Sequence, residues 1–323
     1  MKWLHRYAVL VVCSTVLLIA AGGMVTSTGS GLAVPDWPNT YGSFMFSFPL
    51  DKMVGGIFYE HGHRMIAAAV GLLIMMEALW LRRAEPRRGV RLLGWLALTG
   101  VVLQGLLGGL TVMLRLPDVV SIAHAGLAEV VFGLTVAIAL VSSRGWQEGE
   151  AASKALDVHA PALSTLAGAT VLLVYLQVLL GALVRHMGAG LAIPDFPLAY
   201  GQLIPPLDSP PVVLHFAHRV GALVVAASAG WTAGRVWRAH RDDALLLRPA
   251  LLLAGLVLLQ VGLGGWTVLS YKAAWVATAH LGTGALLLVM SLVLALRARH
   301  RLRAAPEPAH APLWPLVELA EPR

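Results

Sequence analysis

The chain has 323 residues, of which 58% are hydrophobic and only 13% are charged, and its mean hydropathy is +0.74. So few charges in a chain of this length exclude a soluble globular protein and favour one embedded in lipid. The formal net charge of +7 and the pI near 10.0 do not indicate nucleic-acid binding. Most basic residues flank apolar runs, where they indicate the orientation of a membrane protein.

Eight apolar runs recur along the chain, each close to the roughly 20 residues that a helix needs to cross about 30 Å of hydrocarbon. We place the spans at about 7–27, 58–81, 91–113, 118–142, 161–185, 213–237, 246–269 and 273–297. No cleavable pre-sequence precedes the run at Tyr7, so we expect it to remain as the first span. Cys13, the single cysteine, lies within that span, which excludes an intrachain disulfide.

Basic residues are unevenly divided between the two sides of the membrane. With a cytoplasmic N-terminus, the arginine clusters at 82–91 and 235–248 and the basic tail lie inside. The outer segments then hold only Lys52, Arg115, Arg185 and Lys272. The positive-inside rule therefore places both termini in the cytoplasm. We predict a multi-pass protein of a prokaryotic cell (inner) membrane, in contact with the lipid bilayer and with no nucleic-acid partner.

The second half of the chain repeats the first. GSGLAVPDWPNTYG at 29–42 returns as GAGLAIPDFPLAYG at 188–201, and three shorter motifs return in the same order, 155 to 156 residues apart. Each copy holds an even number of spans, so both insert the same way up, as parallel repeats. We predict an all-α polytopic membrane protein of two tandem four-helix bundles, related by a pseudo-two-fold axis along the membrane normal. Its parts would be an N-terminal bundle at 1–143, a cytoplasmic linker at 144–160, a C-terminal bundle at 161–298 and a cytoplasmic tail at 299–323.

Four histidines lie inside the predicted spans at one depth, about 8–10 Å from the outer face at about 1.5 Å per residue. They form two pairs related by the repeat, His63 with His124 and His218 with His280. Ionisable groups in a membrane are costly and are candidates for function. Two imidazoles on neighbouring helices commonly hold six-coordinate heme iron. Structural hydrogen bonds between helices are the alternative. A zinc or copper pathway is disfavoured, because the spans offer no matching array of carboxylate or sulfur ligands.

Other histidines lie in loops or near the chain ends, where we expect them to be solvated. They are His5, His159, His186, His240, His300 and His310.

The two halves differ beside the histidine pairs. Glu60 stands three residues before His63 and shares its helical face, whereas the second half has His215 at that place. A buried carboxyl beside a heme can act as an acid or a base. The asymmetry therefore predicts a catalytic pocket in the N-terminal half and an electron-transfer pocket in the C-terminal half. A solvated Glu60 at the membrane interface is the alternative.

Two arginines and two glycine pairs adjoin the same histidines. Arg64 and Arg219 directly follow the second-span histidine of each half, and they could pair with heme propionates or extend to the outer surface. Gly108–Gly109 and Gly264–Gly265 allow close approach of a flat ring or of another helix.

Taken together, these motifs resemble the heme A synthase family of cytochrome oxidase assembly proteins. The matching segments are TGSGL and PDWP within 28–38, ExxHR at 60–64, HAG at 124–126, HFAHR at 215–219 and AHLGTG at 279–284. The resemblance extends through the eighth span. It implies an oxidoreductase that converts heme O to heme A by oxidising the C8 methyl of the porphyrin to a formyl group.

The resemblance also implies a division of roles between the pockets. His218 and His280 would ligate a resident heme b that handles electrons, while His63 and His124 would face the substrate heme. Glu60 would match the functional glutamate of the family. Arg64 and Arg219 are further heme-binding candidates.

The implied partners are heme O as substrate, a heme O synthase, the assembly of cytochrome oxidase, and an electron partner that the sequence does not identify. One departure concerns the first outer loop, where many members carry a cysteine pair. In this chain those places fall at about Val34 and Thr40, so cysteine chemistry cannot operate there.

Two other classes of protein remain as alternatives. A diheme b-type cytochrome that relays electrons from quinol would explain the four histidines, but not Glu60 opposite His215. A parallel-repeat transporter would need helices interrupted near the midplane, and the prolines of this chain lie mostly in loops.

Overall fold

The computed structural model describes residues 2–149 and 155–304, which are mostly helical. Within these ranges, eight helices are long and apolar enough to cross a membrane. They are α1 (Lys2–Ser27), α2 (Gly56–Ala84), α3 (Arg88–Met113), α4 (Asp118–Val141), α6 (Leu163–His186), α7 (Pro210–Ala239), α8 (Ala244–Leu269) and α9 (Ala274–Arg301). A short helix, α5 (Arg144–Gly149), follows α4. The predicted all-α membrane fold with eight long apolar helices is confirmed.

Most helices extend beyond the apolar runs that predicted them, because polar residues continue the helical backbone past the hydrocarbon. Helix α1 begins at Lys2 rather than near Tyr7, and α7 begins at Pro210. Proline suits the first turn of a helix, where its missing N–H group is not needed. Asp243 caps α8, its carboxylate accepting a hydrogen bond from the Leu245 amide at 3.0 Å.

Each half packs as a closed ring of four helices. In the first half α1 contacts α2 and α4, and α3 contacts α2 and α4; helices α6 to α9 repeat this order. Each ring has its own buried apolar core. Between the rings, α1 and α4 contact α9, where Phe132, Ala285 and Val289 form a smaller cluster. Outward leucines such as Leu223 and Leu258 stay exposed, as expected for lipid-facing surfaces.

The linker holds secondary structure that the sequence did not predict. After α5, strand β1 (Ala155–Asp157) pairs in parallel with strand β2 (Leu302–Ala304), which follows α9. The linker is thereby joined to the end of the last helix. The domain boundaries given above stay predictions.

Asp157 ties the linker to the start of α6. Its buried carboxylate accepts hydrogen bonds from the Leu163 amide at 2.6 Å and the His159 amide at 3.3 Å. Burial favours the neutral acid, but these bonds and the nearby His240 outweigh it and lower the pKa of Asp157.

Several histidines expected to be solvated are packed against the protein, so that prediction was wrong for them. The Nδ1 atom of His5 lies 3.0 Å from a carbonyl oxygen of α4. The ring of His300 stacks on the indole of Trp146 in α5, with ring centroids 3.9 Å apart. His186 is the half-buried last residue of α6. His159 is exposed, and His310 lies outside the described residues.

The loops after α1 and α6 fold into the same turn. The Asp36 carboxylate accepts hydrogen bonds from the amides of Tyr41 and Gly42, both at 2.8 Å. Asp195 makes the corresponding bonds to Gly201 and the residue before it. Gly42 and Gly201 have φ values of +74° and +73°, in the left-handed region that favours glycine. The repeated aspartate and glycine therefore shape both loops.

Candidate functional site

The four histidines lie near the N-terminal ends of α2, α4, α7 and α9. His124 is within electrostatic range of His63, and His280 is within range of His218. The structure thus brings together the two pairs that the repeat indicates. We call His63 and His124 the N-terminal pocket, and His218 and His280 the C-terminal pocket.

Each histidine ring packs against a glycine on the preceding helix. A β-carbon built on these glycines would lie only 3.0 to 3.2 Å from the Cε1 atom of the histidine, closer than ordinary contact. The pairs are Gly22 with His63, Gly108 with His124, Gly181 with His218 and Gly264 with His280. A side chain at these positions would press on the ring, whereas glycine leaves it room without displacement. The four glycines therefore fix where the imidazoles lie.

The ring nitrogens suit axial ligation of heme iron. Nδ1 of His63, His124 and His280 is buried without a hydrogen-bond partner in the described part of the chain. A backbone carbonyl of the preceding helix nevertheless lies near each of these rings, from Leu18 beside His63, Gln104 beside His124 and Gln260 beside His280. A neutral imidazole with an unused nitrogen is a ready metal ligand. Two axial imidazoles suffice for six-coordinate heme, since the porphyrin supplies the other four ligands. The residues of both pockets fit that cofactor.

Glutamine side chains hold the backbone of two of these histidines. Gln104 Nε2 donates to the His124 carbonyl at 2.9 Å. Gln177 Nε2 donates to the His218 carbonyl at 2.7 Å and lies 3.0 Å from His218 Nδ1. Gln177 therefore contacts both the backbone and the ring of His218.

Glu60 is buried at the junction of α2 and the first loop, with 3% of its surface exposed. One carboxylate oxygen accepts a hydrogen bond from the Val34 amide at 2.8 Å, and the other pairs with Arg64 at 2.6 Å. This geometry rules out the solvated alternative for Glu60. The carboxylate lies one turn from His63, held from two sides.

Arg64 and Arg219 clamp the loops onto the helices, a role the sequence did not suggest. Their guanidinium groups donate to backbone carbonyls within the repeated motif. Arg64 binds the carbonyls of Val34, Asp36 and Asn39, and Arg219 those of Ile193, Asp195 and Leu198. Neither side chain reaches freely to the outer surface. Their assignment as heme-binding residues stays a prediction.

His215 occupies the place of Glu60 in the second half. Its Nδ1 accepts a hydrogen bond from the Ile193 amide at 3.2 Å, and Arg219 Nε lies 3.4 Å from its Nε2. A neutral imidazole accepts at one nitrogen only, so we take the shorter contact as the hydrogen bond. His215 thus holds its loop as Glu60 does, but without a carboxylate.

The loop positions near the expected cysteines are filled by buried residues. Val34 and Thr40 are both fully buried. The Thr40 hydroxyl lies 3.1 Å from Nδ1 of His61, which is buried beside Glu60. Hydrogen bonds to α2 therefore hold this loop where a cysteine pair is absent.

The second glycine of each Gly–Gly pair faces the loop rather than a helix or a flat ring. A β-carbon on Gly109 would overlap the Trp37 indole, and one on Gly265 would overlap the Phe196 ring. The aromatic residue of each loop is therefore inserted against α3 or α8, next to the glycine that contacts a histidine.

Two intramembrane carboxyls were missed by the sequence reasoning. Glu77 on α2 is fully buried, and neither of its carboxyl oxygens has a partner among the described residues. Glu129 on α4 is also buried, with Oε2 unpaired in the same part of the chain. The signal was present in the sequence, since a glutamate inside an apolar run is a functional candidate. The spans of the second half contain no aspartate or glutamate.

Eight apolar helices and two repeat-related pairs of intramembrane histidines, each beside a clamped loop, define a polytopic membrane protein with a duplicated histidine site. Comparison with known proteins narrows this class. The family model described as cytochrome oxidase assembly protein matches residues 5–292. The chain belongs to this family, which it shares with the heme A synthases.

Three relatives show the extent of the similarity. The heme A synthase of Symbiobacterium thermophilum is 35% identical over 280 residues, covering 83% of this chain and 87% of the relative. That of Methylobacterium radiotolerans is 31% identical, covering 96% and 93%. That of Shouchella clausii is 29% identical, covering 84% and 89%.

Proposed function

We propose that this protein is a heme A synthase, an oxidoreductase that oxidises the C8 methyl of heme O to a formyl group. Its product would serve the assembly of cytochrome oxidase, and a heme O synthase would supply its substrate. Near-full-length similarity to heme A synthases supports the activity. The observation that carries it is the asymmetry of the duplicated pockets, with the Glu60 carboxylate beside His63 and His215 at the matching place.

The N-terminal pocket would bind the substrate, and the C-terminal pocket would hold a resident heme b. In support, the buried Glu60 carboxylate lies one turn from His63, whereas the matching place beside His218 holds His215, so a buried carboxylate adjoins only one pocket. When bound, the resident heme supplies one-electron redox chemistry. His218 and His280 are the residues that would hold it.

In the N-terminal pocket, each residue has a definable task. His63 and His124 would orient heme O, and the glycines behind them restrict the tilt of the rings. The clamped loop limits the access of water. Turning a methyl group into a formyl group replaces two hydrogen atoms by one oxygen atom. This oxidation needs an oxygen source and an electron acceptor from outside the chain, and the protons released must leave a buried site. Glu60 would accept a proton there. Once protonated, Glu60 no longer presents a negative charge to Arg64. The hydrogen bond from the Val34 amide would then keep the Glu60 side chain in place.

We further propose that the protein lies in the cell membrane with both termini cytoplasmic and both pockets towards the outer face. A reporter that works only in the cytoplasm should therefore be active when it is fused after Arg323. A reporter that works only outside the membrane should be active when it is inserted at Lys52. The reason is the excess of arginine on the linker side of the helices. The reverse pattern of activity would refute this orientation.

The glycine contact predicts that Gly181→Ala disturbs the C-terminal pocket. A methyl group there would press on the His218 ring at 3.0 Å. We expect lower heme b content or an altered low-spin spectrum in the purified variant. Alanine is otherwise favoured in a helix by about 1 kcal/mol. The control is Gly262→Ala on α8, where a β-carbon meets nothing within 4 Å. Equal spectra for the two variants would contradict the prediction.

Coexpression tests the proposed function in cells. The protein would be produced with and without a heme O synthase in a host that lacks heme A, and the extracted hemes would be separated. Heme A should appear only when both proteins are present. Heme O that accumulates unchanged, beside a correctly bound heme b, would favour the relay cytochrome instead.

A further inference from the structure

Arg185 is a cation for which the described protein offers no counter-charge. It lies half-buried at the end of α6, where its Nη2 donates to Ser27 Oγ at 2.6 Å and to the Gly23 carbonyl at 3.3 Å. Both partners belong to α1 of the other half. No carboxylate of the described residues forms an ion pair with Arg185. A charge placed this way in a membrane protein needs an anionic partner.

The position of Arg185 places this charge beside the C-terminal pocket. Arg185 follows Gly181 by four residues, so it lies one turn further along nearly the same helical face. Gly181 is the glycine that contacts the ring of His218, and Arg185 is also within electrostatic range of His280. A guanidinium has five N–H donors. Those on Nε and Nη1 have no acceptor in the described part of the structure.

The N-terminal pocket lacks this cation. The matching residue on α1 is Thr26, four residues after Gly22, and its hydroxyl donates to the Gly22 carbonyl at 3.1 Å. Arg64 in the first half and Arg219 in the second half already bind the loops. A guanidinium with no counter-charge among the described residues therefore distinguishes the C-terminal pocket from its copy.

We infer that Arg185 binds a propionate carboxylate of the heme held by His218 and His280, and that Ser27 anchors it for this purpose. Arginine presents a planar fork that matches a carboxylate, and such charge-assisted pairs are strong. The inference rests on the proposed function in that it requires a resident heme in the C-terminal pocket. It gives a physical reason why one heme is retained while the other pocket, with Thr26 at this place, exchanges substrate for product.

The test is the midpoint potential of the resident heme b in purified protein, followed spectroscopically. Reduction adds an electron, which a nearby cation stabilises, so Arg185→Gln should lower the potential. We expect a fall equivalent to a tenfold change in the ratio of reduced to oxidised heme, about 59 mV for one electron. Arg185→Lys keeps the charge and should stay closer to the unmodified protein. Arg115→Gln, which removes an exposed cation near the N-terminal pocket, should leave the potential unchanged.

Ser27→Ala separates charge from packing, because it removes the anchor and keeps the guanidinium. It should shift the potential much less than Arg185→Gln. An unchanged potential in Arg185→Gln, or an equal fall in Arg185→Lys and Arg185→Gln, would overturn the inference. Failure of the proposed function looks different, since the unmodified protein would then form no heme A while Arg185→Gln still lowered the potential of its bound heme b. If Arg185→Gln does not accumulate, Arg185→Met carries the same expectation.

Discussion

Replacing His218 or His280 with alanine is expected to remove the resident low-spin heme b from the purified protein. Each substitution deletes one of the two axial imidazoles that would hold the iron in a six-coordinate, low-spin state. His63→Ala and His124→Ala should keep that heme and lose heme A formation instead. The measurement is the reduced-minus-oxidised spectrum together with the heme-to-protein ratio of each variant.

His159→Ala is the matched control, since His159 is exposed in the linker and should affect neither property. If the two N-terminal variants lose heme b while the C-terminal ones keep it, the roles of the pockets are reversed. If all four keep it, the histidines are structural.

Replacing Glu60 with glutamine is expected to reduce heme A formation at least about tenfold while leaving the C-terminal heme bound. Glutamine keeps an oxygen that can accept the Val34 hydrogen bond, so the loop should remain in place. It removes the negative charge that faces Arg64 and the capacity to take a proton. A tenfold loss corresponds to about 1.4 kcal/mol of barrier, which is modest for a group that transfers protons. The rate is measured from extracted heme over time.

Glu77→Gln is the control for this variant, because it also removes a buried carboxyl from α2 but lies far along the helix from His63. It should form heme A at nearly the unmodified rate. Glu60 acts only as a loop anchor if Glu60→Gln is as active as Glu77→Gln. The difference between Glu60 and His215 would then no longer locate the chemistry.

The helices and the histidine pairs were predictable because their signals are local or duplicated. Hydropathy alone identifies a span, and the internal repeat distinguishes His63, His124, His218 and His280 from the other histidines. Helix ends were less accurate, since hydropathy does not report where a helix continues into water, as at Lys2.

The contacts of the site could not be read from the sequence because their partners are distant in the chain. Arg64 binds backbone carbonyls of the loop. Every residue has a backbone carbonyl, so the residue types in the sequence do not identify these acceptors. Gly22 is one glycine among 33, and its contact with His63 depends on how two helices pack. The same holds for Arg185, which meets Ser27 only once both halves are assembled.

The most direct measurement is the product formed by the purified protein from added heme O in the presence of an electron carrier. Heme extracted after incubation should contain heme A in the unmodified protein. It should contain almost none in His63→Ala, although that variant still carries the resident heme b. Heme O recovered unchanged from an unmodified protein whose heme b is bound and redox-active would contradict the proposal that the N-terminal pocket performs the oxidation.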